Sequence, residues 1–332
     1  MASHTNLDTT YGSAFIGLIA AAVLYGVTLL QTYLYYRRYP RDSVVVKIMV
    51  FILWLLDTTH LVLCIIAIYW YLVTNFSNED ALDRTMWSME LQTDCNGLIG
   101  LIVECFFARR VWIMSRNRVL TAIIVLLACV HFGLGIVFTV EGFILMETTK
   151  FARLIWVTST GLGSAAAADI IIAGSLCYYL GKGRTGLTRT DSLISTLIAY
   201  SLTTGLVTSV IAFMAVVTFA TMPTNFIWLA FFWVLGKCYV NSLLAALNSR
   251  EFLREKAAIQ EGTFIHFSPC QSVGSNRNVR DMEILEISEA DKVRAAVAAP
   301  LSVNIIHTQS LSTTDFMENP VSSPSANAIL LV

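Results

Sequence analysis

The amino-acid sequence predicts an all-α membrane protein, a bundle of seven transmembrane helices with the N-terminus outside and the C-terminus in the cytosol. Three observations predict this fold class. The 332-residue chain is 56% hydrophobic and only 14% charged, whereas a soluble domain carries about 25% charged residues. The apolar residues fall in long runs within the first 247 positions, and positive charges gather in alternate loops between those runs.

The apolar runs define a membrane domain over residues 13–247. A bilayer core of ~30 Å requires about 20 helical residues, and seven runs meet that length. They lie at 13–36, 44–73, 88–108, 119–140, 154–180, 192–220 and 226–247. Residues 1–12 are polar and form a short N-terminal segment outside the membrane. No predicted span contains a proline, so the broken helices of many transporters lack their commonest sequence cause.

The distribution of lysine and arginine predicts the orientation. The loops after spans one, three and five and the segment after span seven contain most of these residues. They are Arg37, Arg38, Arg41, Lys47, Arg109, Arg110, Arg116, Arg118, Lys182, Arg184, Arg189, Arg250, Arg254 and Lys256. The opposite side has only Arg84, Lys150 and Arg153. By the positive-inside rule the first group lies in the cytosol.

Small residues predict close helix contacts in the middle spans. Span five carries Gly161 and Ala165, and also Gly163 and Ala167, four residues apart. This small-xxx-small spacing lets two helix backbones approach closely in a membrane. Packing within one chain is the favoured interpretation.

The last span contains one lysine, Lys237, near its middle. An ammonium at the centre of a bilayer costs roughly 2.5–3.5 kcal/mol on insertion scales. The side chain must therefore face the interior of the bundle and meet an anion or polar groups. We expect the other helices to pack around this span.

Further polar residues lie at membrane depth, where an ionisable side chain is a functional candidate by default. They are Asp57, His60, Asp94, Glu104, Asp169 and Asn241. At 1.5 Å per residue most of them fall in one layer near the midplane. We predict a central polar cluster that binds a ligand or an ion, with Lys237 neutralised by Asp57 or Asp169. The alternative is a structural ion pair that fixes helix register and binds nothing.

The histidines do not predict a metal site. A catalytic zinc ion has three protein ligands, commonly histidine or carboxylate. Of the five histidines, only His60 and His131 lie in predicted spans, so both would have to converge with a carboxylate. We therefore predict no metal, no cofactor and no catalytic residue.

Asn75-Phe-Ser77 is a glycosylation sequon on the predicted outer side. It lies almost at the membrane surface. Asn75 is therefore a possible site of modification rather than an assigned one.

The polar residues 248–332 predict a cytosolic tail. The segment 249–260 contains Arg250, Arg254 and Lys256 and suits a short helix on the anionic inner surface of the membrane. The rest is rich in Ser, Thr and Asn and is predicted to be disordered.

Four short stretches resemble a known family. The most specific is Lys237–Arg250, KCYVNSLLAALNSR, and the others are Leu56–His60, Asp94–Gly97 and Phe106–Trp112. These blocks are similar to those of DUF6534, a family of basidiomycete fungal multi-pass membrane proteins of unknown function. The resemblance implies the fold, the topology and a fungal origin. It implies no reaction and no ligand.

The sequence favours a receptor-like or sensor-like function, because the loops are short, the helices unbroken and the tail long. One alternative is a proton- or ion-linked small-molecule transporter that uses the same polar cluster. No internal repeat is visible, and seven spans do not divide equally, which counts against it. The second alternative is a membrane-embedded lipid-modifying enzyme.

The predicted partners are the lipid bilayer, an unknown small-molecule or lipid ligand, and a cytosolic signalling protein that contacts the loops and tail. The net charge of −1 gives no reason to expect nucleic acid. The plasma membrane is the favoured location, with another endomembrane as the alternative.

Overall fold

The computed structural model describes residues 8–146, 148–182 and 188–265. This part of the chain is helical throughout, with seven long helices and one short one. The helices are α1 (Ser13–Arg38), α2 (Val44–Tyr69), α3 (Glu79–Leu82), α4 (Trp87–Ser115), α5 (Arg118–Leu145), α6 (Ile155–Lys182), α7 (Thr188–Thr221) and α8 (Ile227–Ile265). Wider π-helical turns occupy Asp8–Gly12 and Trp70–Thr74, and a 3-10 helix occupies Thr148–Leu154.

Five of the helical segments are long and apolar enough to cross a bilayer. They are Asp8–Arg38, Val44–Thr74, Arg118–Leu145, Lys150–Lys182 and Ile227–Arg250. The protein is therefore a multi-pass integral membrane protein. The apolar part of α7 with described side chains, Gly205–Thr221, is shorter, and α4 carries three acidic residues. Seven spans and the orientation of the termini stay predictions.

The long helices extend beyond several of the predicted windows. The connection between α4 and α5 shows why, because it needs only two residues. Arg116 adopts a left-handed conformation with φ 53° and its N–H donates to the carbonyl of Trp112. The Asn117 side chain then accepts hydrogen bonds from the N–H groups of Val119 and Leu120 and begins α5. A hydropathy window misses such polar helix ends.

The bundle surrounds α8. Neighbouring helices pack in the sequence α1–α2, α2–α4, α4–α5, α5–α6 and α6–α7, and α4 also contacts α6. Side chains join α8 to α1, α2, α4 and α6 through Asn241, Lys237, Asn96 and Tyr239. Within the apolar stretch of α8 61% is buried, against 28% for α1. The helix with the buried lysine is thus the central one.

Two glycines allow the neighbouring helices to approach α8. A Cβ atom added to Gly17 in α1 would lie 2.5 Å from Cα of Ala230. A Cβ atom added to Gly236 in α8 would overlap the amide of Asn96. That amide also donates to the carbonyl of Phe232 at 2.8 Å, which fixes α4 against α8.

α8 continues as one helix to Ile265, through the segment 249–260. The position of that segment on the membrane surface stays a prediction. The predicted disordered tail from residue 266 onward lies outside the described residues.

Candidate functional site

The predicted polar cluster divides into three groups of buried and partly buried side chains. The Lys237 group contains Lys237, Asp57, His60 and Asn241; the Asp169 group contains Asp169, Tyr239, Thr208, Glu104 and His131; the Glu90 group contains Glu90, Asp94 and Thr139. All seven predicted cluster residues belong to one of these groups.

The Lys237 group is built on an ion pair between α8 and α2. Lys237 Nζ lies 2.6 Å from Asp57 Oδ1 and 2.8 Å from the main-chain oxygen of Asp57. Both side chains are fully buried. The lysine is therefore paired with Asp57, and Asp169 belongs to a different group.

Polar and aromatic side chains of α1 and α2 enclose this ion pair. Nζ of Lys237 lies 5.3 Å from the ring centroid of Tyr25 in α1, a distance that suits a cation–π contact. The hydroxyl of Thr28, also in α1, faces Asp57 in α2. His60 lies one turn from Asp57, buried beside Cys64. The pair is thus surrounded by protein.

Asn241 extends the group toward the C-terminal end of α8. Its amide nitrogen donates to the carbonyl of Leu24 at 3.1 Å and to that of Lys237 at 2.9 Å. Asn248, two turns further, donates to the carbonyl of Gln31 at 2.9 Å. One stripe of α8 therefore bonds to α1 and α2 along several turns.

The Asp169 group joins α6, α7 and α8. Oδ2 of Asp169 accepts hydrogen bonds from the hydroxyls of Thr208 at 2.6 Å and Tyr239 at 2.9 Å. These three residues line a pocket of about 310 Å³.

Glu104 and His131 complete this group from α4 and α5. Nδ1 of His131 lies 3.8 Å from Oε1 of Glu104. Among the described residues, neither carboxylate oxygen of Glu104 nor Nδ1 of His131 has a hydrogen-bond partner. Buried polar atoms are normally paired, so the packing of the described residues leaves the hydrogen-bonding capacity of Glu104 and His131 unused.

The Glu90 group lies near the N-terminal end of α4. The hydroxyl of Thr139 donates to Oδ1 of Asp94 at 3.0 Å. Glu90 is only 1% exposed, and its carboxylate lies against the backbone of Gly142 in α5. Neither of its oxygens has a hydrogen-bond partner in the described part of the chain.

The largest of the described pockets lies between α4, α5, α6 and α8, and we call it the apolar pocket. Its volume is about 430 Å³, part of which is open to the surroundings. Its lining consists of Thr93, Gly97, His131, Leu134, Gly135, Phe138, Val157, Thr158, Gly161, Leu162, Trp228 and Phe232. Apolar and aromatic side chains dominate this lining, as they do in small-molecule sites.

Three polar atoms of that lining are buried without a hydrogen-bond partner among the described residues. They are Nδ1 of His131, Oγ1 of Thr158 and Nε1 of Trp228. An apolar chamber with a few unpaired donors and acceptors can orient an apolar molecule that carries one or two polar groups.

A second chamber adjoins the first, and we call it the Glu90 pocket. Its volume is about 320 Å³. It shares Thr93, Phe138 and Trp228 with the apolar pocket. The rest of its lining is Tyr71, Thr85, Met89, Glu90, Gln92, Phe151, Phe226 and Leu229.

A polar contact joins α8 to the α1–α2 loop near the middle of α8. The guanidinium of Arg250 donates to Asp42 in the α1–α2 loop, with Nη2 2.5 Å from Oδ2. It also lies 4.5 Å from the ring centroid of Tyr39, whose hydroxyl donates to the carbonyl of Asn248. We call these residues the Arg250 clasp.

Glu90, Tyr239 and Thr208 are site residues that the sequence analysis missed. Glu90 lies inside a predicted span and is ionisable, so the same rule that selected Asp94 would have found it. Tyr239 follows Lys237 by two residues and has no comparable signal, because aromatic residues are common in spans.

The described residues do not assemble a group of three His, Cys, Asp or Glu side chains able to hold a metal ion. The Cys64 thiol lies 3.8 Å from the His60 ring nitrogens. Both residues lie outside the linings of the three pockets described above.

Asn75 is half-buried directly after the π-helical turn, and its amide nitrogen donates to the carbonyl of Trp70 at 3.1 Å. Its glycosylation stays a prediction.

Comparison with known proteins identifies a family for the C-terminal half of the bundle. The family described as "Family of unknown function (DUF6534)" matches residues 165–252. The match includes Lys237–Arg250 and confirms the resemblance of that stretch to this family. It includes Asp169, Tyr239 and the described part of α7. No curated protein and no solved structure matches the chain.

Proposed function

We propose that this protein is a receptor-like membrane protein. It binds a small-molecule or lipid ligand in the apolar pocket and transmits binding to its cytosolic face through α8. One observation carries the proposal: a single continuous helix contains the pocket wall, the buried ion pair and the Arg250 clasp.

The first step is ligand contact with α8. Trp228 and Phe232 face the pocket from this helix, one turn apart. The main-chain oxygen of Phe232 also holds the Asn96 amide. A ligand that displaces either ring therefore acts directly on the α4–α8 contact.

The second step is restraint at the Lys237 group. The ion pair lies five residues beyond Phe232 and ties α8 to α2. Removing one partner of a buried pair is strongly unfavourable. α8 therefore moves together with α2 rather than sliding freely past it.

The third step is the Arg250 clasp. Asp42 and Arg250 are partly exposed, with side chains 20% and 15% accessible. Partial exposure makes this contact weaker than the buried pair. Among the contacts described for α8, the clasp is therefore the one that a small displacement of this helix opens most easily. It lies beside the positively charged loops.

The proposal includes the orientation predicted by the charges. The clasp then lies in the cytosol of a cell whose plasma membrane contains the protein, with the tail beyond it. A cytosolic signalling partner that binds these loops would bind differently when the contact between Asp42 and Arg250 is formed and when it is broken.

A second candidate function is proton-linked transport. The observation that favours it is the Asp169 group, where Glu104 and His131 are buried, close together and unpaired in the described part of the chain. Proton uptake into proteoliposomes, measured with and without Glu104→Gln, distinguishes it from sensing.

The sensor proposal is tested by a thermal-shift screen of the detergent-purified full-length protein. The panel contains sterols, lipids, peptides, amines and divalent metals. It is run on the wild type, Gly135→Phe and Gly133→Phe. Gly135 lines the apolar pocket, whereas Gly133 does not, and a Cβ atom at either glycine meets nothing within 4 Å.

A compound that stabilises the wild type and Gly133→Phe but not Gly135→Phe binds in the apolar pocket. This is the expected result. Compounds that stabilise all three proteins equally bind elsewhere and contradict the assignment of this pocket as the ligand site.

A further inference from the structure

The unpaired carboxylate of Glu90 is unexplained by the packing of the bundle. A buried carboxylate without a partner is costly, and both oxygens of Glu90 lack one among the described residues. Nothing in the lining of the Glu90 pocket is a lysine or an arginine. The site therefore has an acidic group and no cation of its own.

Gly142 makes room for this carboxylate. A Cβ atom added to Gly142 would overlap the carboxyl group of Glu90. The side chain thus occupies a space between α4 and α5 that a larger residue at 142 would close.

Aromatic rings surround the same pocket. Tyr71, Phe138, Phe151, Phe226 and Trp228 belong to its lining. Phe138 lies 5.5 Å from Phe151 and 6.0 Å from Trp228, centroid to centroid and near edge-to-face. Rings of this kind attract organic cations, because the faces of the π systems are negative.

Gln92 lies beside the Glu90 carboxylate in the lining, and its own polar atoms face protein groups. Its nitrogen donates to the carbonyl of Met89 at 3.0 Å and to the hydroxyl of Thr93 at 3.2 Å, and its side chain also contacts His60. Among the described residues the unpaired acceptors of the pocket are therefore the two oxygens of Glu90.

We propose that the Glu90 pocket binds the ammonium group of an amphipathic organic cation, whose apolar body lies in the adjoining apolar pocket. This deepens the proposed sensor function and rests on it for the role of the apolar pocket. The shared residues Thr93, Phe138 and Trp228 lie between the two chambers, so these side chains must move aside for a molecule to occupy both. A molecule that spans the two chambers contacts both the carboxylate and α8.

The test compares a matched pair of probes, 4-phenylbutylammonium and its neutral analogue 4-phenylbutanol. Binding to the full-length protein in nanodiscs is measured by calorimetry. The variants are Glu90→Gln and, as a control for loss of one carboxylate at the same end of the bundle, Glu141→Gln. Glu141 adjoins Gly142 in sequence and lies outside the lining of the pocket.

The wild type and Glu141→Gln are expected to bind the ammonium probe more tightly than the alcohol. Glu90→Gln is expected to lose roughly 30-fold or more in affinity for the ammonium, with the alcohol changed less than about twofold. No binding of the ammonium by the wild type, or equal affinity for both probes, overturns the proposal. If Glu90→Gln does not fold, the affinities of the wild type for the two probes still test the proposal.

Failure of this inference is distinguishable from failure of the sensor function. If a neutral compound binds in the apolar pocket and opens the Arg250 clasp, the sensor function holds and the cation inference fails. If the ammonium binds through Glu90 and the clasp does not respond, the inference holds and the sensor function fails.

Discussion

Lys237 Nζ donates to both the carboxylate and the main-chain oxygen of Asp57, at 2.6 and 2.8 Å, inside a fully buried contact between α8 and α2. One ammonium therefore fixes both the side chain and the backbone of the same residue. Helix register follows from this double contact, because a shift of one residue would separate both pairs of atoms.

The first prediction concerns this ion pair. Lys237→Met leaves Asp57 buried and unpaired, and we expect a loss of about 3–5 kcal/mol of stability. Asp57→Leu should cost a similar amount. The double variant should recover most of the loss, because no buried charge remains. Thermal unfolding in detergent measures all three proteins.

Lys182→Met is the matched control, since Lys182 is exposed at the end of α6. It should unfold at the temperature of the parent. A Lys237→Met protein as stable as the parent would show that the pair contributes nothing.

The second prediction compares two glycines of α1. A Cβ atom at Gly17 would lie 2.5 Å from Cα of Ala230, whereas one at Gly26 meets nothing within 4 Å. Gly17→Ala should therefore destabilise the bundle by about 1–3 kcal/mol through overpacking. Gly26→Ala should leave the melting temperature unchanged or raise it. Equal melting temperatures for the two variants would mean that α1 and α8 do not approach closely.

The third prediction tests the Asp169 group. Tyr239→Phe removes the 2.9 Å hydrogen bond to Asp169, and a typical intramolecular hydrogen bond contributes about 0.5–1.5 kcal/mol. Tyr178 in α6 is 64% exposed, so Tyr178→Phe serves as the control. Chemical denaturation of both variants measures the difference. If Tyr239→Phe loses no more stability than Tyr178→Phe, the hydrogen bond from Tyr239 to Asp169 does not stabilise the fold, which would contradict this account of the Asp169 group.

The sequence predicted an all-helical membrane protein because apolar length is a strong local signal. It also selected Lys237 and Asp57, since buried charge is rare in spans. It did not choose between Asp57 and Asp169 as the partner. Both lie at a similar depth, and depth along a helix carries no information about which face a neighbouring helix presents.

The pockets could not be predicted in the same way. The apolar pocket arises where Gly97, Gly135 and Gly161 of three helices meet, and no sequence pattern relates those positions. Glu90 was missed for a simpler reason. Glu90 lies near the end of a predicted span, outside the midplane layer that contains most of the predicted cluster.

The fourth prediction tests the orientation. Arg41 and Arg84 are both exposed, and they lie in the segments that precede and follow α2. In intact cells a membrane-impermeant maleimide should label Arg84→Cys above the parent background and should label Arg41→Cys only after permeabilisation. The reverse pattern would invert the topology and remove the Arg250 clasp from the cytosol.

The coupling of the apolar pocket to the Arg250 clasp is the central claim. Hydrogen–deuterium exchange of the loop 39–43 measures it most directly, because the Asp42 N–H donates to the carbonyl of Tyr39 at 3.2 Å. The ligand is the compound that the Gly135→Phe comparison places in the pocket, and protection of 89–97 shows that it is bound. We predict a change of about fivefold or more in the exchange rate of the loop. Protection of 89–97 with unchanged exchange at 39–43 would contradict the account.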